Sequence, residues 1–219
     1  MNLIIIGPQG CGKGTQAEKL AERFGASVIE MGHIFRDMAK EDTELGRLIH
    51  ETIHEKKVLV SNDITIEAFK EALKKISDNE GVVLDGIPRT MVQVESVGEV
   101  LDACNRNIDK VISIVLPREI SLERITKRFA CRDCRKRLIM GKDIQNIQEA
   151  CPDCGGEVYQ RSDDSPEGVS KRLDIFYKET VPVIEYYREK GLLVEVDGKG
   201  SIEEVFNEIV KKIRTTDYH

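Results

Sequence analysis

The chain has 219 residues, 40% hydrophobic and 33% charged, which is material for one α/β domain with insertions or two small domains and excludes both a disulfide-stapled miniprotein and a disordered chain. Lysine plus arginine (33) falls short of aspartate plus glutamate (39), so the net charge is -6 and wholesale polyanion binding is excluded unless positive charge is gathered locally. No tryptophan occurs and aromatics make up only 5%, leaving few platforms on which single-stranded bases could stack.

The chain opens on an apolar run, Asn2–Ile6, that reads as a buried strand. Gly7-Pro8-Gln9-Gly10-Cys11-Gly12-Lys13-Gly14-Thr15 follows, and residues 15–24 then carry apolar side chains at helical spacing. Strand, glycine loop and helix together match the G-x-x-x-x-G-K phosphate-binding loop, with Gly14 where a hydroxyl residue often sits and Thr15 after it. Glycines let backbone N–H groups converge on phosphate oxygens, the helix start adds positive potential, and Lys13 adds a mobile charge. A merely tight turn would not require that lysine, and Cys11 reads as a small residue of the loop. No basic leader precedes the loop, and the longest aliphatic stretches, 3–6 and 58–60, fall far short of the roughly 20 residues of a membrane helix. The expectation is a cytoplasmic chain that does not contact a membrane.

Residues 31–60 are helical and charged, with a pause at 40–43, and suggest a small helical lobe. Short apolar runs at 81–84, 110–116 and 192–196 alternate with helical patterns at 64–76, 120–129 and 202–213, which predicts an α/β fold with a parallel sheet flanked by helices on both faces. A long helix is expected over 166–190, bent or broken near Pro182. Between helices lies the polar stretch 130–164, too poor in apolar residues for a core of its own. It contains Cys131-x-x-Cys134 and Cys151-x-x-Cys154, the spacing of a four-thiolate zinc ribbon. Four thiolates close a tetrahedron, so the metal would be structural; iron is the alternative ion.

Positive charge is indeed gathered locally. From Arg124 to Arg137 run Arg124, Lys127, Arg128, Arg132, Arg135, Lys136 and Arg137 against the single acid Asp133. Arg124 and Arg128 are four apart and share a helical face, from which both could reach one polyphosphate. Beyond the cysteines, Arg161 and Arg172 flank Asp163-Asp164, and folding the insertion over would bring two arginine pairs together.

Over its full length the chain resembles the adenylate kinases, in the form whose lid carries a structural zinc. The phosphate loop, Gly32-x-x-x-Arg36, Asp85-Gly86-Ile87-Pro88-Arg89-Thr90, Arg124 with Arg128, and Arg161-Ser162-Asp163-Asp164 with Arg172 carry the resemblance in order and spacing. It implies a P-loop kinase core (1–30, 61–128 and 165–219), a helical monophosphate-binding lobe (31–60) and a zinc lid (129–164), transferring a phosphoryl group reversibly from MgATP to AMP to give two ADP. It further implies that Gly10, Cys11, Gly12, Lys13, Gly14, Thr15, Arg124, Arg128, Arg137 and Gly200 bind ATP. Met31, Arg36, Val58, Leu59, Val60, Gly86, Arg89, Gln93, Arg161 and Arg172 would bind AMP, and Asp85 would place magnesium through its waters. Lys13, Arg89, Arg128, Arg161 and Arg172 would be catalytic, while Asp163 and Asp164 would serve lid closure, with helix capping an equal alternative for Asp164.

Gln93 resembles the family's adenine-reading glutamine. Two positions depart from the family pattern, Met31 for a small hydroxyl residue and His33 for aspartate, so a kinase for CMP, UMP or GMP is the nearest rival. His33 reads equally as a surface residue or a substrate contact, and His50, His54 and His219 as surface residues. A zinc-ribbon nucleic-acid-binding ATPase is opposed by the acidic total, so no nucleic acid is expected as partner, and a monomer is the default.

Overall fold

The computed structural model describes residues 1–161 and 164–215. Strands β1 (Asn2–Ile6), β2 (Ala26–Glu30), β3 (Gly81–Asp85), β4 (Lys110–Val115) and β8 (Leu193–Asp197) form one sheet of order β2-β3-β1-β4-β8, paired in parallel throughout. β1 sits at its centre and is apolar from Leu3 to Ile6 because neither of its faces meets water there. Its side chains alternate between two cores. Leu3 and Ile5 join Leu20 of α1 (Lys13–Phe24) and Ile209 of α9 (Ile202–Thr215). Ile4 and Ile6 join Phe69 of α4 (Asn62–Leu73), Val97 of α5 (Met91–Ala103) and Val183 of α8 (Val181–Glu189).

Two excursions leave this sandwich. After β2 the chain runs through α2 (Met31–Met38), turns at the expected pause, and continues as α3 (Glu44–His50), which Thr43 caps by accepting from the Gly46 N–H at 2.9 Å. A wider helical turn, Glu51–Lys56, ends this lobe. After α6 (Arg118–Thr126) comes a separate antiparallel sheet of β5 (Arg128–Cys131), β6 (Arg137–Ile139) and β7 (Val158–Tyr159), in the order β6-β5-β7. The chain returns in α7 (Pro166–Ile175).

Two expectations require correction, and a third is refined. β2 was not anticipated: it is a short edge strand whose Ser27 and Glu30 interrupt the apolar pattern. The helix expected over 120–129 ends at Thr126, because Phe129 and Cys131 are drawn into pairing with β6 and β7 and local periodicity yields to that long-range contact. The long helix is indeed interrupted near Pro182, by widening and not by a break. Pro182 has no N–H, and its ring collides with the carbonyl four residues back, so the turn Phe176–Thr180 opens to five-residue spacing. Among the described residues no helix is long and apolar enough to cross a membrane.

The parallel order turns the carboxyl ends of all five strands toward one side, where such sheets hold ligands in a crevice. Gly7, Glu30 and Asp85 end or follow their strands there. Phe69 fixes the helical face beneath the crevice and is fully buried, so Phe69→Ala should lower the unfolding free energy by about 3–5 kcal/mol in urea titration. A loss below about 1 kcal/mol would contradict the packing described.

Candidate active site and metal centre

The loop after β1 is built on two backbone constraints. At Gly7 any Cβ would stand 2.6 Å from the Ile114 carbonyl oxygen of β4, so only glycine lets the loop leave the sheet so close to its neighbour. Gly12, at φ 94°, caps α1 from the left-handed region that disfavours other residues. No acidic residue occupies the first turn of α1, so its positive end is left for an anion. Lys13 folds over this end and donates from Nζ to the carbonyls of Gly7 (2.7 Å) and Pro8 (3.0 Å). Cys11 is 3% exposed beneath the loop, where burial pushes its thiol up, away from reactivity.

Above the loop opens a cavity of about 870 Å³, a volume suited to a nucleotide. All ten residues expected to contact ATP line it: Gly10, Cys11, Gly12, Lys13, Gly14, Thr15, Arg124, Arg128, Arg137 and Gly200. Arg124 also ties the segment after β8 to this edge, donating to the carbonyls of Gly198 (2.8 Å) and Lys199 (3.2 Å). Asp85 lines the cavity at the end of β3; burial raises its carboxyl above the ordinary range, Lys13 opposes the rise, and Glu30 adds to it.

Asp164 organises the arginines. Its side chain is fully buried and accepts a fork from Arg128, at 2.9 Å from Nε and 2.6 Å from Nη2, and a third bond from Arg172 Nη2 at 2.9 Å. It does not cap α7; Ser165 does, accepting from the Gly168 N–H at 3.2 Å. Asp163, Ser162 and His219 lie outside the described residues. Arg89, at the entrance to α5, donates from Nε to the Gly86 carbonyl at 3.0 Å, and burial lowers its pKa, with Arg172 and Arg161 adding to that effect against Asp85. Arg89, Arg161 and Arg172 line both the large cavity and a smaller one of about 110 Å³ that continues from it. Arg128, Arg161 and Arg172 come together here, whereas Arg124, expected to pair with Arg128, turns to the segment after β8.

The smaller cavity is walled by Arg36, Val58, Leu59, Val60, Gly86 and Gln93. The Gln93 side-chain oxygen accepts the Arg89 N–H at 2.7 Å, which fixes the amide orientation and leaves its NH₂ as the group to offer a ligand. Met31 lines neither cavity: its side chain is 1% exposed and packs into the core beside Gly86. His33 lines neither as well and sits 3.4 Å from Glu30, which favours the surface reading. His54, expected at the surface, instead lines the smaller cavity. Sequence reasoning also missed Glu30, Lys57 and Phe176 as lining residues; Glu30 could have been found as the end of a strand in register with Asp85 had β2 been recognised.

The sulfurs of Cys131, Cys134, Cys151 and Cys154 all lie within 4.8 Å of one another, with Cys131 to Cys154 at 3.4 Å and Cys134 to Cys151 at 3.7 Å. A tetrahedral ion with bonds of about 2.3 Å requires sulfur edges of about 3.8 Å, so the four residues fit such an ion. Knuckle bonds shape the pairs, the Cys131 N–H reaching the Lys136 carbonyl at 3.0 Å and the Cys151 N–H the Gly156 carbonyl at 2.8 Å. The neighbouring basic strip is spent on ion pairs: Lys127 with Glu123, Arg132 with Glu157, Arg135 with Asp37 and Lys136 with Asp153, at 2.6–3.0 Å.

Comparison with known proteins agrees with this geometry. The adenylate kinase family model matches residues 5–192. An adenylate kinase of Carboxydothermus hydrogenoformans is 43% identical over 209 residues, covering 95% of this chain and 97% of its own length. Adenylate kinases of Archaeoglobus fulgidus (41% identical over 209 residues, 95% of this chain and 96% of the relative) and Caldicellulosiruptor bescii (41% over 213 residues, 97% and 99%) are similar along the same span. With the phosphate loop, the twin cavities and the cysteine cluster in place, the chain belongs to the adenylate kinase family, and its activity is that family's reversible phosphoryl transfer between ATP plus AMP and two ADP.

Proposed function

We propose that ATP occupies the larger cavity and AMP the smaller, with their phosphates meeting where Arg89, Arg128, Arg161 and Arg172 converge opposite Lys13. That convergence at the junction of two cavities is the observation that carries the assignment. An oxygen of the AMP phosphate attacks the γ-phosphorus in line, a new P–O bond forms, and the bond to the β,γ-bridging oxygen breaks, leaving ADP on each side. Such a transfer needs alignment and charge neutralisation more than a general base.

Each side chain then has a task. Arg36 and Arg89 hold the AMP phosphate, while Lys13 and Arg128 hold the ATP phosphates. Arg161 and Arg172 neutralise the group in flight. Gly10, Cys11, Gly12, Gly14 and Thr15 present backbone donors, Arg137 reaches the polyphosphate from the lid, and Arg124 with Gly200 frames the donor base. Gln93 donates its NH₂ to a purine nitrogen, Val58, Leu59, Val60 and Gly86 wall the acceptor, and Met31 supports Gly86 from the core. Asp85 would hold magnesium through its waters, and the ion would supply charge neutralisation on the ATP phosphates.

The division into core (1–30, 61–128, 165–219), acceptor lobe (31–60) and lid (129–164) belongs to the same proposal, as does zinc as the ion of the cysteine cluster. A lid core of little more than Phe129, Leu138, Ile144 and Val158 gives such an ion a structural task. Closure of the lid keeps water from the γ-phosphate and so prevents hydrolysis. Four reduced thiols also support a cytoplasmic location, and a monomer suffices because both cavities are lined by one chain.

ADP formation from MgATP with AMP, CMP, UMP and GMP in turn should give the highest kcat/KM for AMP; another preferred acceptor would overturn the AMP assignment. Lys13→Ala should lower kcat by about 10²-fold or more with little change in the thermal midpoint, since Lys13 is only part-buried and belongs to neither hydrophobic core. Purified protein should carry close to one zinc per chain, and a chelator should lower the thermal midpoint and open the 129–164 segment to protease; a metal-free preparation that remains equally stable and protease-resistant would remove the structural role.

A further inference from the structure

Glu30 ends β2 at the wall of the larger cavity, in register with Asp85 on the neighbouring strand. Its carboxylate gathers two arginines from distant parts of the chain, Arg137 of β6 at 2.6 Å and Arg36 of α2 at 3.3 Å, with the His33 imidazole 3.4 Å away. Its side chain is 18% exposed, so these contacts are better shielded from solvent than an ordinary surface ion pair. Burial opposes ionisation of Glu30, but Arg137, His33 and Arg36 outweigh it and hold the carboxyl below its usual range. Arg137 in turn lies over the start of α1, where a Cβ at Gly14 would overlap its guanidinium, with Glu18 of the same helix 3.5 Å away. A second link between the same parts, Arg135 to Asp37 at 2.8 Å, is about half exposed on both sides and correspondingly weaker.

We propose that Glu30 is a positioning residue that makes closure over the donor and closure over the acceptor one event, by holding a lid arginine and an acceptor-lobe arginine on a single carboxylate. The inference rests on the assignment of Arg137 to the ATP side and Arg36 to the AMP side. Two guanidinium groups brought together at the mouth of the crevice repel one another, and a carboxylate between them reverses the sign of that interaction. Whichever nucleotide arrives first and draws in its arginine then brings Glu30's other partners closer to their closed positions. Each nucleotide thereby tightens the binding of the other, and by linkage the two factors are equal.

The test is calorimetric titration of AMP into the full-length, metal-loaded protein, with magnesium alone and then with saturating magnesium and an ATP analogue carrying a methylene between its β- and γ-phosphorus. AMP affinity of the wild type should rise at least about fivefold when the analogue is bound. In Glu30→Gln the rise should fall below about twofold, with the thermal midpoint near that of the wild type. In an Arg137→Met background Glu30→Gln should change the coupling no further, because the two residues act as one contact. If Glu30→Gln does not fold, Arg137→Met alone should show the lost coupling. Wild-type protein without coupling, variants that keep it, or losses that add as independent sites would each overturn the proposal. Turnover of the wild type, measured in parallel, separates the two levels: no ADP formation defeats the active-site assignment and this inference with it, whereas full turnover with unaltered coupling in Glu30→Gln defeats this inference alone.

Discussion

The site depends on one buried carboxylate. Like charges about 4 Å apart in a protein of effective dielectric about 20 repel by about 4 kcal/mol, so guanidinium groups do not gather without a counter-charge. Asp164, wholly buried, supplies it to Arg128 and Arg172 together, and its fork to Arg128 fixes the plane of one guanidinium as well as its position. What remains is a positively biased crevice, pre-arranged for an anion. Burial lowers the pKa of both Arg89 and Arg128, and the neighbouring Arg161 and Arg172 add to the effect.

The chemistry was largely legible in the sequence because it sits in short, locally specified stretches. Gly7, Gly12 and Lys13 are required by backbone geometry and charge within a single loop, and the cysteine pairs define their cluster by spacing alone. The central strands were legible too, since burial on both faces leaves an uninterrupted apolar run. What escaped was decided at a distance. β2 lies at the sheet edge and carries polar residues, so its pattern is weak, and without β2 nothing singled out Glu30. Phe129 fits a helical period, yet pairs across to Leu138. Asp164 before Pro166 looks like a cap until its arginine partners fold over it.

The lid and the acceptor lobe illustrate two ways of ordering a small excursion. The lobe at 31–60 uses ordinary helix chemistry, a Thr43 cap and Ile49 buried against its surroundings. The lid has short strands and a small apolar cluster, so its order is concentrated at the cysteine knuckles.

The widened turn at Phe176–Thr180 has a consequence for which way side chains point. In a regular helix Arg172 and Val183 would fall within about 20° of each other around the axis, and the arginine would share a face with the core. The looser winding delays the following segment by roughly a quarter turn. Val183, Ile184 and Tyr187 can therefore lie on the sheet while Arg172 faces the crevice, so a proline that lacks one donor allows a single rod to serve two masters.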